Sequence, residues 1–274
     1  METICYTCMH HCRLNPGQRG LCRARINDSG TIRCENYGQV TSLALDPIEK
    51  KPLHMFCPGS MVLSVGSYGC NLKCPFCQNH EISMAGVSSV ETVYFFPQEL
   101  TARALAYKKN GNIGVAFTYN EPLVGWEYVR DTARLVKDAG MKNVLVTNGT
   151  ASMQVLDELL PYIDAMNIDL KGFREEYYQK LGGSLEVVKE FISHASKHCH
   201  VELTTLIVPG ENDGIEEMEE EAAWIASIGQ IPLHITRFFP RYHMMDRDAT
   251  EVAQVHCLAE AAGKYLDYVF VGNC

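Results

Sequence analysis

The stretch that decides the fold runs from Met61 to Asn79 and reads MVLSVGSYGCNLKCPFCQN. Its first six residues are a short, mostly apolar run typical of a buried strand. Three cysteines follow at positions 70, 74 and 77, which places a C-x3-C-x2-C spacing in the loop directly after that strand. In βα barrels, sites lie in the loops at the carboxyl ends of the strands. The stretch therefore predicts a chemical site in the first βα unit.

The residues after this loop repeat the order of apolar run, turn and amphipathic segment, which is typical of βα units. We predict strands at 61–66, 113–117, 143–147, 165–170, 201–207 and 232–236, with a last apolar run at 267–271. The predicted helices lie at 98–109, 124–139, 151–161, 184–197, 215–227 and 249–264. This pattern predicts an α/β fold, a partial (βα)6 TIM-like barrel over 57–274. A small cysteine-rich N-terminal module with its connector precedes it over 1–56.

The composition of the 274 residues narrows the class of protein. With 46% hydrophobic and 21% charged residues, the chain should fold compactly rather than remain disordered. A net charge of −9 lacks the basic footprint of a dedicated nucleic-acid-binding protein. No apolar run reaches the ~20 residues of a membrane span, so no membrane association is expected. Without a signal-peptide pattern, the 12 cysteines indicate a cytoplasmic protein whose reduced thiols bind metal rather than form disulfides.

Cys70, Cys74 and Cys77 are the candidate catalytic residues. Three thiolates from one short loop can hold three irons of a [4Fe-4S] cluster and leave the fourth iron open to a small molecule. Two other interpretations compete with this one. Cys74 and Cys77 alone could form a redox pair, and a structural zinc site could take His80 as its fourth ligand.

A second group of cysteines, Cys5, Cys8, Cys12 and Cys22, opens the chain. Four thiolates make a closed site, which suits structural zinc or an auxiliary iron–sulfur cluster, and spacing alone does not separate the two. Four unligated buried cysteines are disfavoured, because so short a segment has little apolar core in which to bury them.

Polar residues alternate with apolar ones along three late strands, so one face of these strands should meet polar groups. We predict a polar barrel lumen, and the alternative is that these side chains pair with one another. The residues are Asn167, Asp169, Lys171, Glu202, Thr204, His234 and Thr236. The acidic run Glu216–Glu221 is predicted to be the solvated start of a helix.

The cysteine loop resembles that of the radical S-adenosylmethionine superfamily, whose C-x3-C-x-aromatic-C motif follows the first strand of a partial barrel. The resemblance covers 61–274 and implies a [4Fe-4S] cluster, S-adenosylmethionine as its ligand and an external electron donor. Reductive cleavage then yields a 5′-deoxyadenosyl radical that abstracts hydrogen. It also implies that Phe76 packs near the adenine and that Glu121 accepts a hydrogen bond from the methionine amino group. Many members have Gly-Gly before that Glu-Pro, whereas this chain has Tyr119-Asn120.

Further cofactor contacts are implied at the strand ends: Asn148, Asp169, Lys171, His234 and Arg237. Each has a plainer interpretation as well. Asn148 could serve only in a turn, Asp169 and Lys171 could form an ordinary ion pair, and His234 could be a hydrogen-bonded core residue.

Over nearly its whole length the chain most resembles the radical enzyme family of the AmmeMemoRadiSam system, which is similar to pyruvate formate-lyase activating enzymes. Segments 17–22, 45–53, 116–122 and 236–240 carry this likeness. It implies Memo-like and AMMECR-like protein partners. We therefore predict a radical oxidoreductase that abstracts hydrogen from a partner protein, as glycyl-radical activases do, or from a small molecule. The alternative is a non-catalytic iron–sulfur or zinc protein that carries electrons or acts as a scaffold.

Overall fold

The structure is a computed structural model that describes residues 1–274. The strands are β1 (Thr3–Ile4), β2 (Arg13–Leu14), β3 (Arg25–Asp28), β4 (Thr31–Cys34), β5 (Gln39–Val40), β6 (Ser42–Pro47), β7 (Met61–Gly66), β8 (Val93–Tyr94), β9 (Asn112–Phe117), β10 (Lys142–Thr147), β11 (Ala165–Asp169), β12 (His200–Ile207), β13 (Leu233–Arg237) and β14 (Val269–Gly272). The helices are α1 (His80–Ser83), α2 (Pro97–Ala106), α3 (Trp126–Asp138), α4 (Met153–Leu159), α5 (Glu175–Leu181), α6 (Leu185–Ala195), α7 (Ile215–Ile228) and α8 (Val252–Ala262).

Eight strands form one sheet in the order β6-β7-β9-β10-β11-β12-β13-β14. All neighbours in it are parallel except β6 and β7, and helices connect the strands from β9 onward. This confirms the predicted α/β fold, in which a mostly parallel sheet and its helices form a partial barrel. Helix α5 was not predicted: it lies between the predicted strand 165–170 and the predicted helix 184–197, in a stretch that was interpreted as their connection. None of the helices combines the length and apolarity that crossing a bilayer requires.

The main core lies between the sheet and the helices, where residues such as Leu145, Leu156, Phe191 and Leu203 are fully buried. A smaller apolar cluster lies inside the barrel. There Ile48 and Leu53 of the connector pack against one residue from each of four strands: Val62, Ala116, Val144 and Ala165. The connector therefore plugs the amino end of the barrel and leaves the carboxyl end for chemistry.

The sheet extends across the predicted domain boundary at residue 56. Strand β6 pairs antiparallel with β7, from Ser42 opposite Gly66 to Pro47 opposite Met61. This pairing covers an edge of β7 that would otherwise leave its backbone N–H and C=O groups without partners. Part of the segment assigned to the N-terminal module is thus a strand of the barrel sheet.

Polar side chains in the amino half of the barrel pair with the plug and with one another. Glu202 accepts hydrogen bonds from the backbone N–H groups of His54 and Met55, at 3.0 and 2.8 Å. It also contacts the rings of His200 and His234, at 2.9 and 2.6 Å. Burial would raise the pKa of Glu202, but these hydrogen bonds lower it to about 2. The alternative of internal pairing is therefore the correct one at this end of the lumen.

The acidic run of α7 is not solvated throughout, because Glu221 lies on the buried face of the helix. Its carboxyl accepts a hydrogen bond of 2.5 Å from the Thr205 hydroxyl. Burial raises the pKa of Glu221 from 4.5 to about 8. The expectation of a fully exposed run is wrong at this position, since the helical period returns the sixth residue of the run to the sheet.

This burial predicts how stability depends on pH. The folded protein holds a proton on Glu221 that the unfolded chain releases, so stability falls as pH rises from about 5 to 8. In Glu221→Gln this pH-dependent loss of stability should disappear. The free energy of unfolding of the variant should therefore rise, relative to that of wild type, by roughly 1.4 kcal/mol per pH unit over this range. Denaturant unfolding at several pH values measures it. The exposed Glu216→Gln is the control, and parallel pH profiles for wild type and Glu221→Gln would contradict the prediction.

Candidate functional site

The cysteine loop lies at the carboxyl end of β7, between the barrel mouth and the N-terminal module. Gly69 opens it with φ of +90°, and a Cβ there would lie 2.5 Å from the Cys22 carbonyl oxygen. Only glycine permits both that backbone conformation and that approach. The Lys73 amide donates to the Leu181 carbonyl at 2.9 Å, and the His243 amide donates to the Pro75 carbonyl at 2.9 Å. The loop is thus held from both sides of the barrel mouth.

The three thiols of this loop are held close enough to influence one another. Burial raises the pKa of Cys74 to about 11 and that of Cys70 well above its usual value, and the neighbouring cysteine charges raise both further. The nearby Lys171 ammonium acts in the opposite direction on Cys74. Buried thiols of this kind become stable thiolates when a metal binds them.

The donor set fits a [4Fe-4S] cluster better than one zinc ion. In a cluster each thiolate binds a different iron, so three thiolates leave one iron open to a small molecule, whereas four ligands close a structural zinc site. The loop itself supplies three thiols and no fourth one. His80, the suggested fourth zinc ligand, instead contacts the Cys77 carbonyl at 3.2 Å and stacks on Tyr242.

Glu121 is a buried carboxyl beside this loop. It caps the single helical turn Pro122–Gly125 by accepting from the Leu123 amide at 3.0 Å. It also accepts from the Thr147 hydroxyl at 2.8 Å and from the Asn148 amide at 2.7 Å. Burial raises the pKa of Glu121 to about 7 in spite of these bonds, and its charge in turn raises the pKa of Cys70. A buried carboxylate held by neutral donors is suited to receive an amino group.

Asn148 lies between Glu121 and the cysteine loop. Its side-chain amide donates to the Asn71 side-chain oxygen at 2.9 Å and lies 3.8 Å from Cys70 Sγ. Asn148 is thus part of a hydrogen-bonded network and more than a turn residue.

Asp169 and Lys171 end the next strand and form an ion pair of 2.7 Å. Burial would lower the pKa of Lys171, but the charges of Asp169 and of Cys74 and Cys77 raise it above its usual value. The plain ion pair therefore exists, and it lies beside the cysteine loop where a bound cofactor would meet it.

Phe76 and Arg237 are two further residues of the predicted site, and they lie in different surroundings. Phe76 is buried in an apolar cluster with Cys74, Phe238 and Met244. Arg237 ends β13, where its Nε donates to the Thr250 carbonyl at 2.6 Å and its guanidinium lies 4.8 Å from the Phe239 ring.

His234 is not brought to the carboxyl end. It is the second residue of β13, and its ring contacts Glu202 and packs against His54 at 4.7 Å and Phe270 at 5.1 Å. The prediction of a cofactor contact for His234 is corrected: this side chain helps to hold the plug.

Two residues that support the site were not predicted. Asn120 accepts from the Ser67 amide at 3.0 Å and donates to the Gly69 carbonyl at 2.9 Å, which ties the start of the loop to the Glu121 turn. Tyr119 has φ of +75° and donates to Asp46 at 2.8 Å, while Lys51 contacts the same carboxylate at 2.9 Å. The one sequence signal for these two residues was their position directly before Glu121-Pro122, where many superfamily members have glycines. A tyrosine and an asparagine at that position predict no particular contact.

The N-terminal cysteines gather above this loop. A Cβ on Gly20 would lie 3.6 Å from Cys12 Sγ and 3.8 Å from Cys22 Sγ. Burial raises the pKa of Cys8 to about 11, although the nearby backbone N–H of His10 acts in the opposite direction. Burial also raises the pKa of Cys22, and the nearby backbone N–H groups of Ala24 and Arg25 lower it. Backbone donors aimed at sulfur stabilise thiolates, which is what metal ligation requires.

The profile described as Radical SAM superfamily matches residues 64–225. An uncharacterized protein of Methanocaldococcus jannaschii, MJ0808, is 37% identical over 273 residues, which is 98% of this chain and 80% of that protein. Pyruvate formate-lyase 1-activating enzyme of Escherichia coli K12 is 29% identical over 168 residues, 60% of this chain and 68% of that protein.

The fold has solved counterparts as well. Streptococcus suis SuiB matches with a TM-score of 0.61 and 14% identity over 76% of this chain and 48% of that one. At that identity the likeness shows the shared partial barrel, while the profile match spans the cysteine loop, Glu121 and the Asp169–Lys171 pair. The chain belongs to the radical S-adenosylmethionine superfamily of enzymes.

Proposed function

We propose that this enzyme binds a [4Fe-4S] cluster through Cys70, Cys74 and Cys77, and S-adenosylmethionine beside it. The observation that carries the proposal is the buried Glu121 carboxyl, held by three neutral donors next to the cysteine loop. When both are bound, one electron from an external donor would break the bond between the sulfonium sulfur and the 5′-carbon, which would release methionine and supply a 5′-deoxyadenosyl radical for hydrogen abstraction from the substrate. An electron carrier or scaffold has no use for such a carboxyl, so the non-catalytic alternative is disfavoured.

The chain's own groups then bind and orient the cofactor. Glu121 accepts from the amino group of the methionine part, and the Thr147 and Asn148 donors keep its carboxylate oriented. The Asp169–Lys171 pair presents both charges at the next strand end, where carboxylate and hydroxyl groups can be bound. Phe76 offers an apolar surface for the adenine, and Arg237 adds a cation at the far side of the mouth.

We propose a partner protein as the substrate, on the pattern that the name of the E. coli activating enzyme indicates. The segment 238–250 supports this, because it packs on the cysteine loop through Met244 while Phe239 and Met245 remain exposed beside it. Exposed apolar side chains at the rim of a site suit contact with a protein surface. Memo-like and AMMECR-like proteins are the proposed partners, and an external donor in the reducing cytoplasm provides the electron. Hydrogen abstraction from a small molecule is the second candidate.

The four N-terminal cysteines are proposed to hold a closed, structural metal centre, either zinc or an auxiliary iron–sulfur cluster. The backbone N–H groups near Cys8 and Cys22, which lower the pKa of both thiols, support ligation by thiolates.

Anaerobic reconstitution tests the function. With S-adenosylmethionine and a strong reductant, the wild-type protein should form 5′-deoxyadenosine and methionine in equal amounts. Metal analysis of the same sample should find metal beyond the four irons of one cluster, and whether the excess is iron or zinc identifies the N-terminal centre. A protein that carries a reducible cluster yet neither binds nor cleaves S-adenosylmethionine, even with the candidate partners present, would overturn the proposed function.

A further inference from the structure

The N-terminal cysteine module is joined to the catalytic loops by a short row of hydrogen bonds. The Met9 amide donates to the Thr150 carbonyl at 3.2 Å, and the Ser152 amide donates to the Thr7 carbonyl at 3.0 Å. Between these backbone contacts, His10 Nε2 lies 2.8 Å from the Asn71 carbonyl oxygen. Since a carbonyl only accepts, Nε2 carries the hydrogen of this bond.

Asn71 follows the first cluster cysteine directly, and its side chain continues the connection. Its amide donates to the Thr150 hydroxyl at 2.7 Å, and its oxygen accepts from Asn148 at 2.9 Å. The Thr150 hydroxyl donates in turn to the Asn148 side-chain oxygen at 2.6 Å. Asn71, Asn148 and Thr150 are all buried, so each lost bond would leave a polar group without a partner.

This network ends at the carboxyl that is proposed to bind the cofactor, because the backbone N–H of Asn148 donates to Glu121. It begins at the N-terminal cysteines, because His10 lies between Cys8 and Cys12 in a turn that is closed by the His11 amide, which donates to the Cys8 carbonyl at 3.2 Å. His10 therefore belongs to the turn that carries the N-terminal cysteines, and its ring contacts the catalytic loop. Met9 packs beside it against the apolar cluster around Cys74.

We propose that His10 is a positioning residue: it braces the Cys70–Asn71 peptide against the N-terminal centre and, through Asn71 and Asn148, orients Glu121 toward S-adenosylmethionine. The N-terminal centre then serves the reaction as a rigid support for the catalytic loop. This inference rests on the proposed function for its cofactor, but the bracing itself is a property of the chain's own contacts.

The chain offers matched variants for a test. His10→Phe keeps a planar ring and removes the donor, whereas His10→Gln restores an N–H donor at a similar distance from the backbone. The control is His11→Phe, since the neighbouring His11 is exposed and its ring contacts only Tyr6, at 5.6 Å between centroids.

Two measurements are made on the reconstituted full-length proteins. Hydrogen–deuterium exchange should be faster in peptides covering 69–78 and 147–153 of His10→Phe, and should match wild type in His11→Phe and His10→Gln. In the cleavage assay, His10→Phe should raise the KM for S-adenosylmethionine about tenfold, the effect of one lost buried hydrogen bond, with kcat and metal content unchanged.

Unchanged exchange and KM in His10→Phe would overturn the inference, and so would equal effects in His11→Phe. If the wild-type protein fails to bind or cleave S-adenosylmethionine, the proposed function fails. The exchange data then still decide whether His10 braces the loop.

Discussion

Cys74→Ala is expected to abolish formation of 5′-deoxyadenosine and to remove the iron of the catalytic cluster. Cys74 supplies one of three thiolates from a single loop, and two cannot retain a cluster that already has one open iron. The loss should exceed the roughly 10–100-fold effects that follow removal of an outer-sphere partner of a metal ligand. Iron analysis, the electron paramagnetic resonance signal of the reduced cluster and product quantification measure it.

Two further variants separate this effect from misfolding. Cys77→Ala changes a less buried residue of the same loop and should give the same loss. Cys199→Ala removes a half-buried thiol that contacts the Ala195 carbonyl on the helical layer, and should keep full activity. Product formed at the wild-type rate by Cys74→Ala or Cys77→Ala would refute the assignment of the catalytic cluster.

Glu121→Gln is expected to weaken S-adenosylmethionine binding by roughly 10–100-fold, the range of a charge-assisted hydrogen bond. The variant loses the negative charge. Its side-chain NH₂ group can also take the position of the carboxylate oxygen that accepts from the Asn148 backbone N–H, and an NH₂ group cannot accept that bond. Cluster iron should be unchanged, because Glu121 is not a cluster ligand. Glu81→Gln, an exposed change on α1 just after the loop, is the control.

Wild type and Glu121→Gln should also differ in how their binding of S-adenosylmethionine depends on pH. Burial raises the pKa of Glu121 to about 7, so its carboxylate form prevails only above that pH. The ratio of the two dissociation constants, variant over wild type, should be largest above pH 7 and shrink as pH falls and wild-type Glu121 takes up a proton. Titration of S-adenosylmethionine itself cancels in this ratio. A ratio that stays constant from pH 6 to 8.5 would show that Glu121 does not receive the amino group as a carboxylate.

Local patterns in the sequence were enough to predict the barrel strands and the cysteine loop at the centre of the candidate site. The predicted barrel strands lie within two residues of those observed, because alternation and apolar runs report the burial of each strand on its own. The three proposed cluster cysteines could be singled out because they share one loop, and their spacing needs no other part of the chain to bring them together. The Glu121-Pro122 pair was recognisable for the same reason.

Tertiary structure decided which polar residues face the chemistry and which hold the scaffold. Asp169 and His234 have the same signature, a polar residue on the lumen face of a late strand, yet one lies beside the cysteine loop and the other is bound to Glu202 beneath it. Alternation shows which face of its strand a residue occupies. It does not show how close that residue lies to the carboxyl end of the barrel, because neighbouring strands are staggered. The contact between His10 and Asn71 joins residues 61 positions apart. Such contacts depend on how the module docks on the barrel, and that packing leaves no periodic trace in the sequence.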